Sequence, residues 1–163
     1  MLERLNNPEY LHVLLNPLPV YGLAVGGLGL LIAIMSRSRA ARVTALILVM
    51  MSGLSAWPVY HYGETAYNRI EPLADSDGVK WLDEHQRRGE TLIYLFYVVA
   101  ALSAVAIGTE FRVRRAAVPL AVITLMLAVA DLGIGGYIAY AGGRIRHKEF
   151  RYEPPPTVPK DNS

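Results

Sequence analysis

The chain has 163 residues, 53% of them hydrophobic and 18% charged, with a mean hydropathy of +0.27, a net charge of +2 and no cysteine. That apolar excess is larger than a soluble core of this size uses, and the lack of cysteine excludes disulfides, thiolate-ligated iron–sulfur clusters, cysteine zinc sites, covalently attached haem and a cysteine nucleophile. Nucleic-acid binding has no compositional basis either, because the arginines sit in short clusters beside apolar runs.

In chain order, Asn7-Pro8-Glu9 has the form of a helix start, with Asn7 as N-cap, Pro8 at the first helical position and an acid in the first turn. Leu11, Leu14 and Leu15 then fall at helical spacing and Asn16-Pro17 ends the run, so residues 1–17 are expected to carry a short helix lying along the membrane interface. Four apolar runs follow, at 18–35, 43–60, 91–109 and 116–141, in which Asp131 is the single charged residue. About 20 apolar residues at 1.5 Å each cross a hydrocarbon layer of about 30 Å, so the fold class is an all-α membrane protein. It is a four-helix transmembrane bundle over residues 18–148, followed by an extended proline-rich tail over 149–163. The first span is expected to be retained, since it is too long for a signal-peptide core and SRSRAAR follows without a small-x-small cleavage pattern.

Arg37, Arg39 and Arg42 lie between the first two spans and Arg112, Arg114 and Arg115 between the last two. The positive-inside rule makes both turns cytoplasmic. A bacterial inner-membrane protein is implied, with both termini and the 61–90 segment on the periplasmic side; Arg144, Arg146, Lys148 and Arg151 after the fourth span argue the other way. The two turns read RAARVTALIL and RRAAVPLAVI, a likeness open both to a duplicated hairpin and to chance. HYGETAYNRI is expected to lengthen the second helix, and the stretch from Asp75 the third, with Ser76 or Asp77 as cap and His85 looking into the bundle.

With that topology His12, His61, His85 and His147 all lie on one side of the membrane. They are either amphipathic residues at the water boundary or a ligand set. Glu64 follows His61 by three residues and Glu84 and Glu90 flank His85, which places carboxylates where they can orient imidazole rings. A di-iron site lacks its paired Glu-x-x-His motifs, and zinc or copper has no characteristic spacing. A b-type haem needs two imidazoles from facing helices and an apolar slot. His61 and His85 are expected as that axial pair, with Glu64 and Glu90 behind them and His147 as a further candidate. Asp131, about 15 Å below the outer end of the fourth span, is expected either to bridge to Ser52, Ser55 or Ser103 or to mark an ion path. The glycines of the first and fourth spans are expected to permit close helix packing; no nucleotide-binding fingerprint surrounds them.

The segments His61-Tyr62-Gly63-Glu64-Thr65-Ala66, Glu84-His85 with Gly89-Glu90, and Gly142-Gly143-Arg144-Ile145-Arg146-His147 resemble the bacterial membrane proteins grouped as domain of unknown function 2231. The resemblance runs over roughly residues 15–148 and implies a four-helix membrane domain, electron-transfer company such as Rieske-type domains, and His61, His85 and His147 as the family-like positions. The chain is thus expected to be a non-enzymatic membrane subunit whose outer histidines bind haem or a metal and serve an electron-transfer complex. The alternatives are a purely structural accessory subunit and a small transporter using Asp131.

Overall fold

The computed structural model of the protein describes residues 6–157. Among them are six α-helices and no strand: α1 (Pro8–Leu15), α2 (Pro17–Met35), α3 (Arg39–Leu54), α4 (Ala56–Ile70), α5 (Ser76–Arg112) and α6 (Arg114–Arg144), with single 3-10 turns at Glu71–Leu73 and Lys148–Phe150. Taken through their short breaks these make four rods long and apolar enough to cross a membrane, Pro8–Met35, Arg39–Leu73, Ser76–Arg112 and Arg114–Arg144. Each of the four apolar runs falls inside one rod.

Prolines cause both breaks. Pro17 begins α2 without an N–H to donate, and Pro58 removes the donor that would reach the Leu54 carbonyl, so the second rod bends at Ser55. Ser55 reinforces the bend, its hydroxyl donating to the Ser52 carbonyl at 2.6 Å. The tight turn after α2 closes as a Schellman motif: the Ser38 N–H reaches the Ala33 carbonyl and the Arg37 N–H reaches that of Ile34, with Arg37 in the left-handed region at φ 55°. Asp75, rather than Ser76 or Asp77, caps α5, its carboxylate accepting from the Gly78 N–H at 2.8 Å.

Consecutive rods are antiparallel and pack in the cyclic order α2, α3, α5, α6. The interior mixes alanines with larger apolar side chains. Leu23, Val49, Ala56, Phe96, Val99 and Ala128 form one cluster, and Leu30, Ala45, Leu46, Ala106 and Ala121 a second. Tyr21, Val25, Met35, Met126 and Val129 stay on the outside. Gly22 and Gly26 bring α2 onto Ser52 and Val49 of α3, whereas Gly133 and Gly136 face outward and touch no neighbouring helix.

Two segments outside the four apolar runs pack onto the bundle. α1 lies along α4, and Glu9 pairs with Arg69 at 3.5 Å. After α6 the chain folds back over the start of α5, where Lys148 and Arg151 both pair with Asp75 at 2.9 Å. Residues 151–157 carry no helix or strand, and residues 158–163 of the proline-rich tail lie outside the described range.

Candidate functional site

Opposite the arginine turns, α1, α2, α4, α5 and α6 line a cavity of about 380 Å³, within the range of small-molecule and cofactor sites. Its walls are mainly apolar, from Val20, Val59, Ile93, Phe96 and Ile138, and its polar lining includes His12 and His85.

Both hairpins supply a histidine by the same device. His12 of α1 donates from Nδ1 to the Val59 carbonyl of α4 at 2.8 Å, and His85 of α5 donates from Nδ1 to the Ile138 carbonyl of α6 at 2.9 Å. In each case the residue four positions after that carbonyl is glycine. A Cβ at Gly63 would stand 2.8 Å from the His12 ring and one at Gly142 3.0 Å from the His85 ring. Only a bare helix surface lets the ring lie close enough to reach the carbonyl.

The tautomer follows from the partner. A carbonyl only accepts, so Nδ1 carries the proton in both rings and Nε2 keeps its lone pair. Burial pushes the pKa of both histidines below the ordinary value and so favours the neutral ring, partly opposed by the carbonyl bond, which favours the protonated one. Neither Nε2 has a hydrogen-bond partner among the described residues. The ring centres are 6.0 Å apart and the ring planes stand at 79°. The cavity thus holds two oriented, neutral imidazoles, each with one free lone pair.

The pair that faces across the cavity is therefore His12 with His85, not His61 with His85. His61 is exposed, lies outside the cavity wall and stacks on Trp57 with ring centres 5.5 Å apart. On α4 the cavity face runs through Val59, Gly63, Ala66 and Ile70, so a residue two positions after Val59 points away. Glu64 reaches the rim of the cavity; Glu90 does not line it and accepts from the Gln86 amide at 2.8 Å. Neither carboxylate orients a histidine in the cavity, where backbone carbonyls do that work. His147 also lies at the rim, its Nδ1 2.8 Å from Glu149 and its ring stacked on Phe150.

Asp131 is 3% exposed and does not line the cavity, and its Oδ2 has no partner. The three serines expected to meet it bond within their own helices instead: Ser52 to the Leu48 carbonyl, Ser55 to Ser52 and Ser103 to Val99. Beside His85, but off the cavity wall, Glu84, Arg87 and Arg88 hold one another in place. Glu84 accepts from both Arg87 and Arg88, the Arg87 bonds first, and its pKa is drawn down to about 2. Arg88 also donates to the Tyr137 carbonyl at 2.7 Å and covers the Tyr137 ring.

No family model matches the chain, and neither does any curated protein or solved structure. What the site can do follows from its donors. Among the described residues no three His, Asp or Glu side chains come together as a metal set, and protein zinc sites use at least three. Two imidazoles at one cavity, with ring centres 6.0 Å apart, suit a metal that brings its own equatorial donors, as an iron tetrapyrrole does.

Proposed function

We propose that the protein is a small membrane subunit that holds one b-type haem between His12 and His85 and passes electrons within a larger membrane complex. The observation that carries this is the pair of carbonyl-locked rings 6.0 Å apart with both Nε2 atoms free. Two metal–nitrogen bonds of about 2 Å, plus the offset of each ring centre from its nitrogen, place the centres of two axial imidazoles about 6 Å apart. The glycines beneath the rings fit the same use, because they fix the distance without adding side chains to the cavity. Bound there, haem would supply one-electron chemistry; the protein holds its ligands neutral and oriented and surrounds them with apolar walls.

Four apolar rods with many large hydrophobic side chains on the outside favour a place in the lipid bilayer. The arginine-rich turns favour the cytoplasmic side for that end, which puts the cavity near the periplasmic surface of a bacterial inner membrane. There a periplasmic or membrane redox subunit, of the sort the family resemblance implies, could exchange electrons with it. The decisive experiment is a pyridine-haemochrome assay on full-length protein purified in mild detergent with haem supplied during expression. One haem per chain is expected; colourless protein free of iron would remove the proposal.

A structural role is the second reading, and one observation favours it: each histidine also ties two helices together through its carbonyl bond. Under that reading His12→Ala and His85→Ala loosen the fold and no chromophore is ever present.

A further inference from the structure

We propose that the cavity takes its planar ligand in one orientation, with a face of the ring over Gly89 and the ligand's carboxylates turned outward to Arg146. This rests on the haem reading and adds the two residues that set the direction of entry. Gly89 lies one helical turn after His85 and lines the cavity, and a Cβ there would meet nothing within 4 Å. A glycine inside a helix costs about 1 kcal/mol relative to alanine. At Gly63 and Gly142 the bare backbone is used to seat a histidine ring; at Gly89 no protein group uses it. Gly108, Gly133 and Gly136 are equally open but lie on the exposed surface, and at Gly143 a Cβ would touch the Phe150 ring at 3.9 Å, so among the described glycines Gly89 is the one in the cavity wall where a Cβ meets nothing within 4 Å.

The rim carries the charge asymmetry. Of the cations that follow the last helix, Lys148 and Arg151 are taken by Asp75, and Arg144, at the helix end, lies over the Tyr140 ring. Arg146 alone lines the cavity, is exposed, and has no carboxylate partner among the described residues. Across the opening, α4 places Glu64 at the rim. A ligand with carboxylates on one edge is therefore attracted on the α6 side and repelled on the α4 side, which selects one of its two edge-on orientations. Arg146 can meet a carboxylate through two parallel N–H bonds.

The test is reconstitution of the full-length apoprotein in detergent, followed by the absorbance of the bound chromophore. Two probes are used: haem b and its dimethyl ester, in which both carboxylates are neutralised. In the parent, haem b is expected to bind at least fivefold more tightly than the ester. Arg146→Gln should abolish that preference by weakening haem b alone, and the exposed position makes this variant safe for folding. Gly89→Ala should bind within about twofold of the parent, whereas Gly89→Leu should weaken both probes tenfold or more with unchanged helical circular dichroism. If Arg146→Gln weakens both probes equally or neither, or if Gly89→Leu binds as the parent does, the orientation is overturned. If haem b binds and His12→Ala abolishes binding while those variants behave as the parent, only this inference fails. If the parent binds neither probe, the haem site itself is wrong.

Discussion

At the arginine-turn end, Arg42 and Glu110 satisfy one another: Nε and Nη2 donate to the two carboxylate oxygens at 2.6 and 3.0 Å, with both residues buried. At the opposite end His12 and His85 each satisfy one ring nitrogen on a backbone carbonyl and leave the other open to a shared cavity. Both ends place polar side chains between helices where water is scarce. A closed pair leaves nothing over for a ligand and joins the two hairpins, since Arg42 comes from α3 and Glu110 from α5. An open pair with the same degree of orientation has binding capacity in reserve. Side-chain polarity alone does not distinguish a brace from a site; the count of unused donors and acceptors does.

The largest effect that would break this contrast lies in the closed pair. Arg42→Ala leaves the buried Glu110 carboxylate with only the half-exposed Arg39 guanidinium, 3.8 Å away, and should cost about 3 kcal/mol, read by thermal unfolding in detergent. The joint replacement Arg42→Met with Glu110→Leu should recover most of it. A single substitution that unfolds no earlier than the parent would mean that the pair is not a brace. At the open end, Gly63→Ala and Gly142→Ala put a methyl against a histidine ring, an overpacking cost of about 1–3 kcal/mol. The ring can swing into the cavity to relieve it, so haem content should fall while the unfolding temperature drops little. The reverse pattern would assign the two histidines to bracing.

Asp131 sharpens the comparison from the middle of the bundle, where a buried carboxylate oxygen has no partner. Asp131→Asn replaces an ionisable carboxyl that no neighbour compensates and should raise stability by about 1 kcal/mol; a clear loss of stability would reveal a contact that the helices do not show. The smallest effect is a pH dependence. Glu84 has a pKa drawn below the usual carboxylate value to about 2 by Arg87 and Arg88, so the native state holds its proton less tightly than the unfolded chain. Its contribution to stability is complete above about pH 4.5 and fades as the pH falls toward 2. Unfolding temperatures measured between pH 6 and 3 should fall more steeply for the parent than for Glu84→Gln.

The four rods were legible because each needs an apolar run far longer than a soluble helix uses, and the helical extensions beyond 60 and before 91 followed from their polar but helix-compatible residues. The histidine pairing was not. Periodicity places a side chain on a face of its own helix but does not say which helix that face meets, and the docking of α1 on α4 is a tertiary event. His12 therefore read as a residue before the first span, while His61 sat at the end of a span that bends at Ser55 and so presents a different face outward. One signal was present in the sequence. Gly63 and Gly142 are glycines in helical segments beyond the close-packed spans, and a helix that carries an interior glycine without a small-residue partner invites the question of what lies against it.

In the proposed site His12 and His85, and not His61, hold the ligand. The sharpest test is a reduced-minus-oxidised optical spectrum of full-length protein, taken on the parent and on His12→Ala, His85→Ala and His61→Ala at equal protein concentration. The sharp band of bis-imidazole haem should appear in the parent and in His61→Ala and be lost in both of the other variants. A band that survives His12→Ala unchanged, or one that disappears only with His61→Ala, would contradict the site described above.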